Sequence, residues 1–377
     1  MSDYIPCHLL ANVLLMLPCD SLLRSRCVSK SWRALIDSSD FIKMHLHRAH
    51  QKANSSNGIQ IIALNQNIFY TLDLDLEAHS SRTSGSAKQL NCPSDYSGNE
   101  VRLIGSCNSL FCLRYPYRRE IVWWNPWIQK SWKLPSFPVE YSMYGRAPFL
   151  LGFGYDRVND DYKVLKRISS TSLFDTDRLS WCDEVFVYSL KMNTWRRTEH
   201  FLFKVSDYDC YCTADCVLAN GALHWFMKER RLNGVSYIVS FDLSSEEFRK
   251  LPCPRYPENF VHQNLRILNG CLCLVPYYKV NGRYAADLWV MEEYGVDKSW
   301  AKLTSVTMPL GSKFRSLTPL ALSKNKRQLL LQIDGEKLIL HDLETKCISD
   351  LAIRGDASYF QSSCTCIASL VRPLGTD

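Results

Sequence analysis

The chain has no long apolar run. None approaches the ~20 residues that cross a membrane as a helix, and the Leu-rich stretch at 9–17 is short, bounded by prolines and not preceded by a basic segment. That stretch does not read as a secretory signal. An excess of one charge is also missing. The 45 basic and 38 acidic residues leave a formal charge of +7 spread thinly along the sequence. The nearest basic groupings are Arg114, Arg118 and Arg119 and, much later, Lys228, Arg230 and Arg231. Nucleic-acid binding asks for a concentrated basic face, which these short groups do not make. Sixteen cysteines are present, yet metal-ligand spacing is scarce. Cys210, Cys212 and Cys216 come closest, and no matching second pair follows them. The pairs Cys210/Cys212, Cys271/Cys273 and Cys364/Cys366 have C-x-C spacing, which puts both thiols on one face of a strand. With no secretory signal they are expected to be reduced. Neither a metal nor a cofactor is expected.

Catalytic signatures are equally sparse. The stretch Gly152-Phe153-Gly154-Tyr155-Asp156 lacks the Lys, the Ser/Thr and the following helix of a phosphate loop. His224 closes an apolar strand beside Trp225 without a Ser or Cys nucleophile at fixed spacing, so a core histidine is the expectation there. Beyond residue 59 no long amphipathic helix is legible.

What is present begins with the first fifty residues. Pro6 can open a helix, because its missing N–H would be an orphan there. Leu9, Leu10, Val13, Leu14 and Leu17 follow at i, i+1, i+4, i+5 and i+8, an apolar stripe that Pro18 ends. A second helix is predicted from Ser21, burying Leu22, Leu23, Cys27 and Val28. A third carries Trp32, Leu35 and Ile36, and a short fourth, capped by Asp40, carries Phe41, Met44 and Leu46. So few residues bury too little surface to fold alone. Their stripes need the rest of the chain or a partner.

The order of these residues resembles an F-box. It runs Ile5-Pro6, Leu9-Leu10, Val13-Leu14, Leu17-Pro18, Ser21-Leu22-Leu23-Arg24, Cys27-Val28-Ser29-Lys30-Ser31-Trp32 and Leu35-Ile36. The resemblance implies docking on a Skp-type adaptor, which hangs such proteins on a cullin ubiquitin ligase with its RING subunit. The residues implied as adaptor-binding are Pro6, Leu9, Leu10, Val13, Leu14, Leu17, Pro18, Leu22, Leu23, Arg24, Cys27, Val28, Lys30, Trp32, Leu35 and Ile36. Leu9, Leu14, Leu17, Leu22 and Leu23 are expected to be partly exposed.

Residues 51–58 read as a polar linker, dividing a helical domain (1–50) from a body (59–377). The body repeats a unit: an apolar strand ending near Asp or Asn, a short turn, then a strand often opened by Trp. The unit appears at Ile68–Asp75, Ile121–Asn125, Val185–Leu190, Ile238–Leu243, Leu288–Glu292 and Leu338–Leu343. Copies stand about fifty residues apart, the spacing of kelch-like propeller blades. Apolar hairpins with tight turns precede several copies, at Ile104–Leu110, Val217–Leu223 and Ile267–Leu272. Two separate β-sandwiches would suit the same strand pattern. With four strands per blade named a to d from the axis outward, the first blade lacks strand a. The apolar run Cys364–Val371 is available to supply it, which would close the ring. The fold class expected is therefore α+β multidomain: a small all-α F-box, then an all-β six-bladed kelch-like propeller closed by a C-terminal strand.

The body too has a family likeness. Trp124-Asn125-Pro126, Gly152 to Asp156, Asp160 to Val164, Val187 to Leu190, Gly221 to Trp225 and Asp287 to Met291 are similar to the type-1 F-box-associated domain of plant F-box proteins. The likeness is strongest to the subgroup holding S-locus F-box proteins and a negative regulator of plant immune receptors. The physical reading of the motifs is structural: Gly152 and Gly154 suit close backbone packing, and Asp156 with Asp160-Asp161 suits a tight turn.

In a propeller the a–b and c–d turns share one side and the b–c and d–a loops the other. The second set reads as long and aromatic, including 136–149, 169–183, 200–211, 228–235 and 277–284. Tyr, Trp and Arg dominate interface hot spots. Target-binding residues are therefore expected among Arg118, Arg119, Phe137, Tyr141, Tyr144, Trp181, Tyr208, Tyr211, Arg230, Arg231, Tyr277, Tyr278 and Tyr284, with about half of the loop aromatics packing their own loops. The helical domain should sit on the short-turn side, because the linker enters at the start of strand b.

The resulting expectation is a non-catalytic substrate receptor of an SCF-type ubiquitin ligase, located in the cytoplasm or nucleus and passing a protein target to degradation. An adaptor-binding scaffold without a degradative role and a propeller enzyme are the rival readings.

Overall fold

The computed structural model describes residues 7–55, 58–76, 84–93, 96, 98–137, 151–171, 181–198, 216–228, 236–255, 262–308, 316–354 and 362–373. Four helices open the chain: α1 (Cys7–Leu14), α2 (Cys19–Ser25), α3 (Lys30–Asp37) and α4 (Ser39–Ser55). Ser29 caps α3, its hydroxyl accepting from the Trp32 N–H at 3.1 Å. The cap of α4 is Ser38, not Asp40: its hydroxyl accepts from the Phe41 N–H at 3.3 Å. α4 is also longer than expected, reaching Ser55 through most of the stretch read as a linker. Gln51, Lys52 and Ala53 are good helix formers and lie exposed, so their polarity marks a solvent-facing side of the helix.

The helices bury Leu14, Cys19, Leu22, Ile36 and Phe41, each at most 3% exposed, and Leu370 from the far end of the chain joins that core. Side chains of this kind contribute on the order of 1.5–3 kcal/mol each when fully buried.

The chain divides into two compact units, Met1–Leu134 with Ala352–Asp377, and Pro135–Leu351. The first unit holds the helices and two sheets. Its first sheet contains β1 (Gly58–Asn65), β2 (Ile68–Asp75) and β3 (Ser84–Leu90). Its second is β4 (Arg102–Cys107), β5 (Leu110–Tyr115), β6 (Glu120–Asn125) and β7 (Lys130–Lys133), hydrogen-bonded in that order. The second unit holds four sheets, each an antiparallel series in chain order. They are β8 (Leu151–Asp156), β9 (Asp161–Thr171), β10 (Trp181–Ser189) and β11 (Thr194–Thr198); β12 (Val217–Ala219), β13 (Ala222–Lys228), β14 (Ser236–Asp242) and β15 (Phe248–Leu251); β16 (His262–Leu268), β17 (Cys271–Val280), β18 (Arg283–Met291) and β19 (Trp300–Thr307); and β20 (Leu317–Leu322), β21 (Gln328–Ile333), β22 (Lys337–Asp342) and β23 (Ile348–Asp350).

The first sheet is completed from the end of the sequence. β24 (Ala352–Arg354) pairs in parallel with β3, and β25 (Ser362–Cys366) pairs antiparallel with β1, setting Cys364 opposite Ile62. The missing inner strand thus comes from the chain end as expected, but as Ser362–Cys366 and not Cys364–Val371, of which residues 367–371 form no strand. The outer strand β24 was not foreseen, since three residues carry no legible period.

The middle strands of the sheets are the most buried, and the innermost strands β4 and β25 are only partly covered. β5 and β14 are buried along nearly their whole length, whereas β7 and β23 are mostly exposed. A strand covered on both faces reads as a continuous apolar run, and one at the rim does not. Two-residue turns with positive φ at both positions join many neighbours, for example Asn220-Gly221 (φ 48° and 74°) and Asn269-Gly270 (φ 48° and 83°). The two glycines of β8 answer a different need. A Cβ on Gly152 would stand 2.7 Å from Leu223 Cδ1, and one on Gly154 2.7 Å from both Leu218 Cδ1 and Leu243 Cδ1, so the adjoining sheet can approach only where a side chain is absent.

One expected loop is not a loop. Residues 277–284 continue β17 and β18 through a two-residue turn at Asn281-Gly282, with φ of 50° and 76°. This Asn-Gly pair is itself a hairpin signal, and the aromatic alternation around it belongs to strands.

Candidate functional site

The stripe of α1 splits into two faces. Leu10 and Leu14, with Leu17 beyond the helix end, point into the helical core. Leu9 (48% exposed) and Val13 (58%), with Met16 (66%) in the turn after α1, form the outward row. Positions 9, 13 and 16 follow i, i+4 and i+7, so a second stripe was legible in the spacing and Met16 was overlooked. Val28 is 63% exposed in the α2–α3 connection, where Cys27 is exposed too, as are Arg24 near the end of α2, Lys30 at the start of α3 and Pro18 ahead of α2. Leu23, Trp32 and Leu35 are half-buried against the core. Pro6 lies outside the described residues. Two of the leucines expected to be partly exposed, Leu14 and Leu22, are instead core, at 1% and 0%. The module needs its own filled centre first. A Leu14→Asp change would therefore report on folding rather than docking.

That helical core does not stop at the helices. Trp127 and Ile128, in the β6–β7 turn, pack against it with Ala368 and Leu370. His50 Nε2 lies 3.2 Å from Asn108 Oδ1 in the β4–β5 turn. These are c–d and a–b turns, so the helices sit on the short-turn side of the second sheet. Residues after β25 run through this junction. The buried Asn125 side chain donates to the carbonyls of Ser369 (3.0 Å) and Val371 (2.7 Å), Ser369 Oγ donates to Asn108 O (2.9 Å), and Ser109 Oγ donates to Ile367 O. Arg372 then donates to Asp37 O at the end of α3, at 2.9 Å. The chain end is the mortar between helices and sheet, and no sequence pattern announced it.

The expected target-binding residues disperse. Tyr141, Tyr144, Tyr208, Tyr211, Arg230 and Arg231 lie outside the described residues, and for Trp181 only its place in β10 is described. Arg118 and Arg119 are exposed in the β5–β6 turn, with Arg118 stacked 4.9 Å above the Tyr96 ring and paired to Glu120 at 3.6 Å. Phe137 is half-buried, edge-on to Phe186 (4.9 Å) and Trp195 (5.2 Å), with Lys166 Nζ 3.6 Å from its ring centre. It packs its own neighbourhood. Tyr277 is 3% exposed, and its hydroxyl donates to Leu317 O and accepts from Leu317 N–H, so it is a core strut and not a contact residue. Tyr278 donates to Asp287 Oδ1 at 2.6 Å, and Tyr284 lies under Lys279.

Buried titratable groups in the second unit act as struts. Burial pushes the Asp156 carboxyl up, but hydrogen bonds from Asn159 and Lys163 outweigh it and hold it below the usual range. Lys163 Nζ donates to Asp156 (2.9 Å), Glu246 (2.9 Å) and Leu243 O (2.6 Å), and Arg196 also pairs with Glu246. Burial drives His224 down to about 4. Its Nδ1–H donates to Val217 O (3.3 Å) and its Nε2 accepts from the Tyr294 hydroxyl (2.7 Å). It is a satisfied core histidine. No helix among the described residues is long and apolar enough to cross a membrane.

These elements define a class: a short helical module followed by a six-bladed all-β propeller. Comparison with known proteins then fixes the family. An F-box domain matches residues 4–44 and an F-box associated beta propeller domain matches residues 60–373. The chain belongs to the F-box proteins that carry this propeller. It is 33% identical to F-box protein CPR1 of Arabidopsis thaliana, over 97% of this chain and 88% of that one. It is 29% identical to the F-box/kelch-repeat protein At3g23880 of the same plant, over 80% and 79%. An oligogalacturonate lyase from Vibrio parahaemolyticus is similar at 11% identity, with a TM-score of 0.39, over 78% and 79% of the two chains. That likeness is too distant to bear on chemistry.

Proposed function

We propose that this chain is the substrate-recognition subunit of an SCF-type ubiquitin ligase, working in the cytoplasm or nucleus. The helical module docks on a Skp-type adaptor and, through it, on the cullin and RING subunits. The propeller holds a target protein for ubiquitination and proteasomal degradation. The chain makes and breaks no bond itself. It contributes proximity, converting a chance encounter between conjugating enzyme and target into a held one.

The observation that carries the reading is the outward row Leu9, Val13 and Met16, with Val28, left bare by a module whose centre is already filled. Monomeric proteins rarely leave contiguous apolar surface uncovered. Leu14 and Leu22 support that surface from beneath. Targets are assigned to the b–c and d–a side, away from the helices, where Arg118 and Arg119 stand exposed.

The test is co-purification with a Skp-type adaptor. Val13→Asp with Met16→Asp should weaken binding at least tenfold, because a charge is buried without a partner, while the melting temperature holds. Undiminished binding by that double variant sinks the docking face. Arg118→Glu with Arg119→Glu should prolong the lifetime of captured targets in cells and leave adaptor binding intact. Unchanged target turnover would overturn the assigned side.

A further inference from the structure

The outward row Leu9, Val13 and Met16 has a continuation. Met16 also lines a cavity of about 590 Å³ between the helices and the first sheet. The remaining walls are the rest of the α1–α2 connection, one face of α4, the start of β1, the end of β2, and the residues at and just after the end of β25. The space has a cause in the sequence. α4 turns Ala49 and Ala53 towards the sheet, one helical turn apart on one face, and Ala368 lines the cavity from the chain end. Larger side chains at these places would fill it.

The lining is zoned by polarity. Leu74 is buried, and Leu15, Leu17 and Ile367 are half-buried, so the depth of the cavity is apolar. Arg48 and Lys52 on α4 and Asp73 on β2 are exposed and stand at the rim, with Gln60 tied to Asp73 by a 2.9 Å hydrogen bond. Both charge signs are present there, so the rim selects no ion of one sign. An apolar centre inside a mixed polar rim is the anatomy of a protein–protein contact. In such contacts an aromatic or aliphatic anchor seated in a pocket carries much of the binding energy.

Volume alone would also suit a small molecule. Met16 decides for a protein. It belongs to the exposed row and to the cavity at once, so a partner lying along the row arrives at the cavity mouth. Its side chain is also of the kind that re-packs at binding surfaces, being unbranched and flexible.

We infer that the adaptor-docking surface continues past the helices: an apolar side chain of the Skp-type adaptor passes Met16 and seats in this cavity, against Leu74 and Ile367. The inference rests on the docking reading given above and extends it to the first sheet. An adaptor held at both places fixes the helices against that sheet, so it recognises the propeller as well as the F-box.

The experiment places the photo-crosslinker p-benzoylphenylalanine in the full chain at Leu9, Asp73 or Tyr117, one position at a time. Each variant is irradiated with a recombinant Skp-type adaptor. Leu9 reports the row and Asp73 the cavity mouth. Tyr117, 83% exposed in the β5–β6 turn, reports the background. Covalent adaptor is expected at Leu9 and at Asp73, well above the Tyr117 level. Crosslinking at Leu9 with Asp73 at background overturns the inference, leaves the docking reading standing and gives the cavity to another occupant. Crosslinking at neither position overturns both. Ala49→Trp, which fills the cavity, should weaken adaptor binding by roughly fivefold or more in titration calorimetry. Wild-type affinity in that variant, at a wild-type melting temperature, also overturns the inference. Should Ala49→Trp not fold, as judged by circular dichroism, the crosslinks decide the matter alone.

Discussion

The two compact units of this protein hold their sheets together by different means. In the unit Pro135–Leu351, neighbouring sheets are adjacent in sequence and are pegged by side chains that reach across. Lys163 reaches Leu243 O and Glu246, His224 meets Tyr294, Trp300 Nε1–H donates to Pro252 O at 3.0 Å, and Tyr277 engages Leu317. In the other unit the pegs are side chains too, but their partners are carbonyls some 250 residues away: Asn125 to Ser369 and Val371, and Ser109 to Ile367. The lesson is about contact order. Local pegs form as each sheet forms, whereas the distant ones wait for loop closure over most of the chain.

Removing Ser362–Asp377 should break the comparison most severely. The deletion takes away β25, the carbonyls that Asn125 and Ser109 engage, and Leu370 from the helical core. Limited proteolysis should then cut within residues 1–134 well before residues 151–351. Equal resistance of both units would mean that the chain end is dispensable. Lys163→Met is the next largest effect. It takes a cationic partner from Asp156, whose side chain is fully buried and is left to the Val158 and Asn159 donors, and leaves Glu246, at 13% exposure, to Arg196 alone. Losing charge-assisted hydrogen bonds in this way costs about 1.5–3 kcal/mol. Urea denaturation should show that loss, and the unit holding the helices should melt as before.

The smallest effect sharpens the contrast through pH. His224 titrates near 4 when folded and near its ordinary value of 6.5 when unfolded. The unfolded chain therefore binds more protons between those values, so stability is whole above pH 6.5 and falls as pH drops towards 4. Between pH 7 and 5.5 the loss from this one residue is roughly 1 kcal/mol. His45 and His341 are shifted by burial in the same direction. His224→Gln should flatten the stability–pH curve of the second unit across that window. An unchanged slope would remove His224 from the account.

Much of this fold could be read from residue order, and the reasons differ by element. β2 was expected at Ile68–Asp75 and is found there, because alternation and a turn bound it on both sides. Strand pairs opened by Trp132, Trp195 and Trp300 were legible because the unit repeats. The inner strand from residues near Cys364 was inferred by elimination: an apolar run without a partner and a blade without a strand. The failures share a cause, which is that spacing gives a face but not its direction. α1 carries apolar residues on two faces, and only the packed core reveals that Leu14 lies inside and Val13 outside. Residues 277–284 failed through reading aromatic content ahead of the Asn281-Gly282 turn. Arg118 and Arg119 were read as surface-loop residues and stand exposed in the β5–β6 turn.

The pairing of β1 with β25 also sets a clock on synthesis. β1 ends at Asn65 and β25 begins at Ser362, so roughly 300 residues separate the two partners. At about 5–20 residues per second, the ribosome needs roughly 15–60 s to deliver the second after the first. Throughout that interval β1 presents an unpaired edge, and the helical core lacks Leu370. An open edge of this kind templates pairing with other chains. Until its last strand leaves the exit tunnel, the nascent chain carries that edge without its native partner.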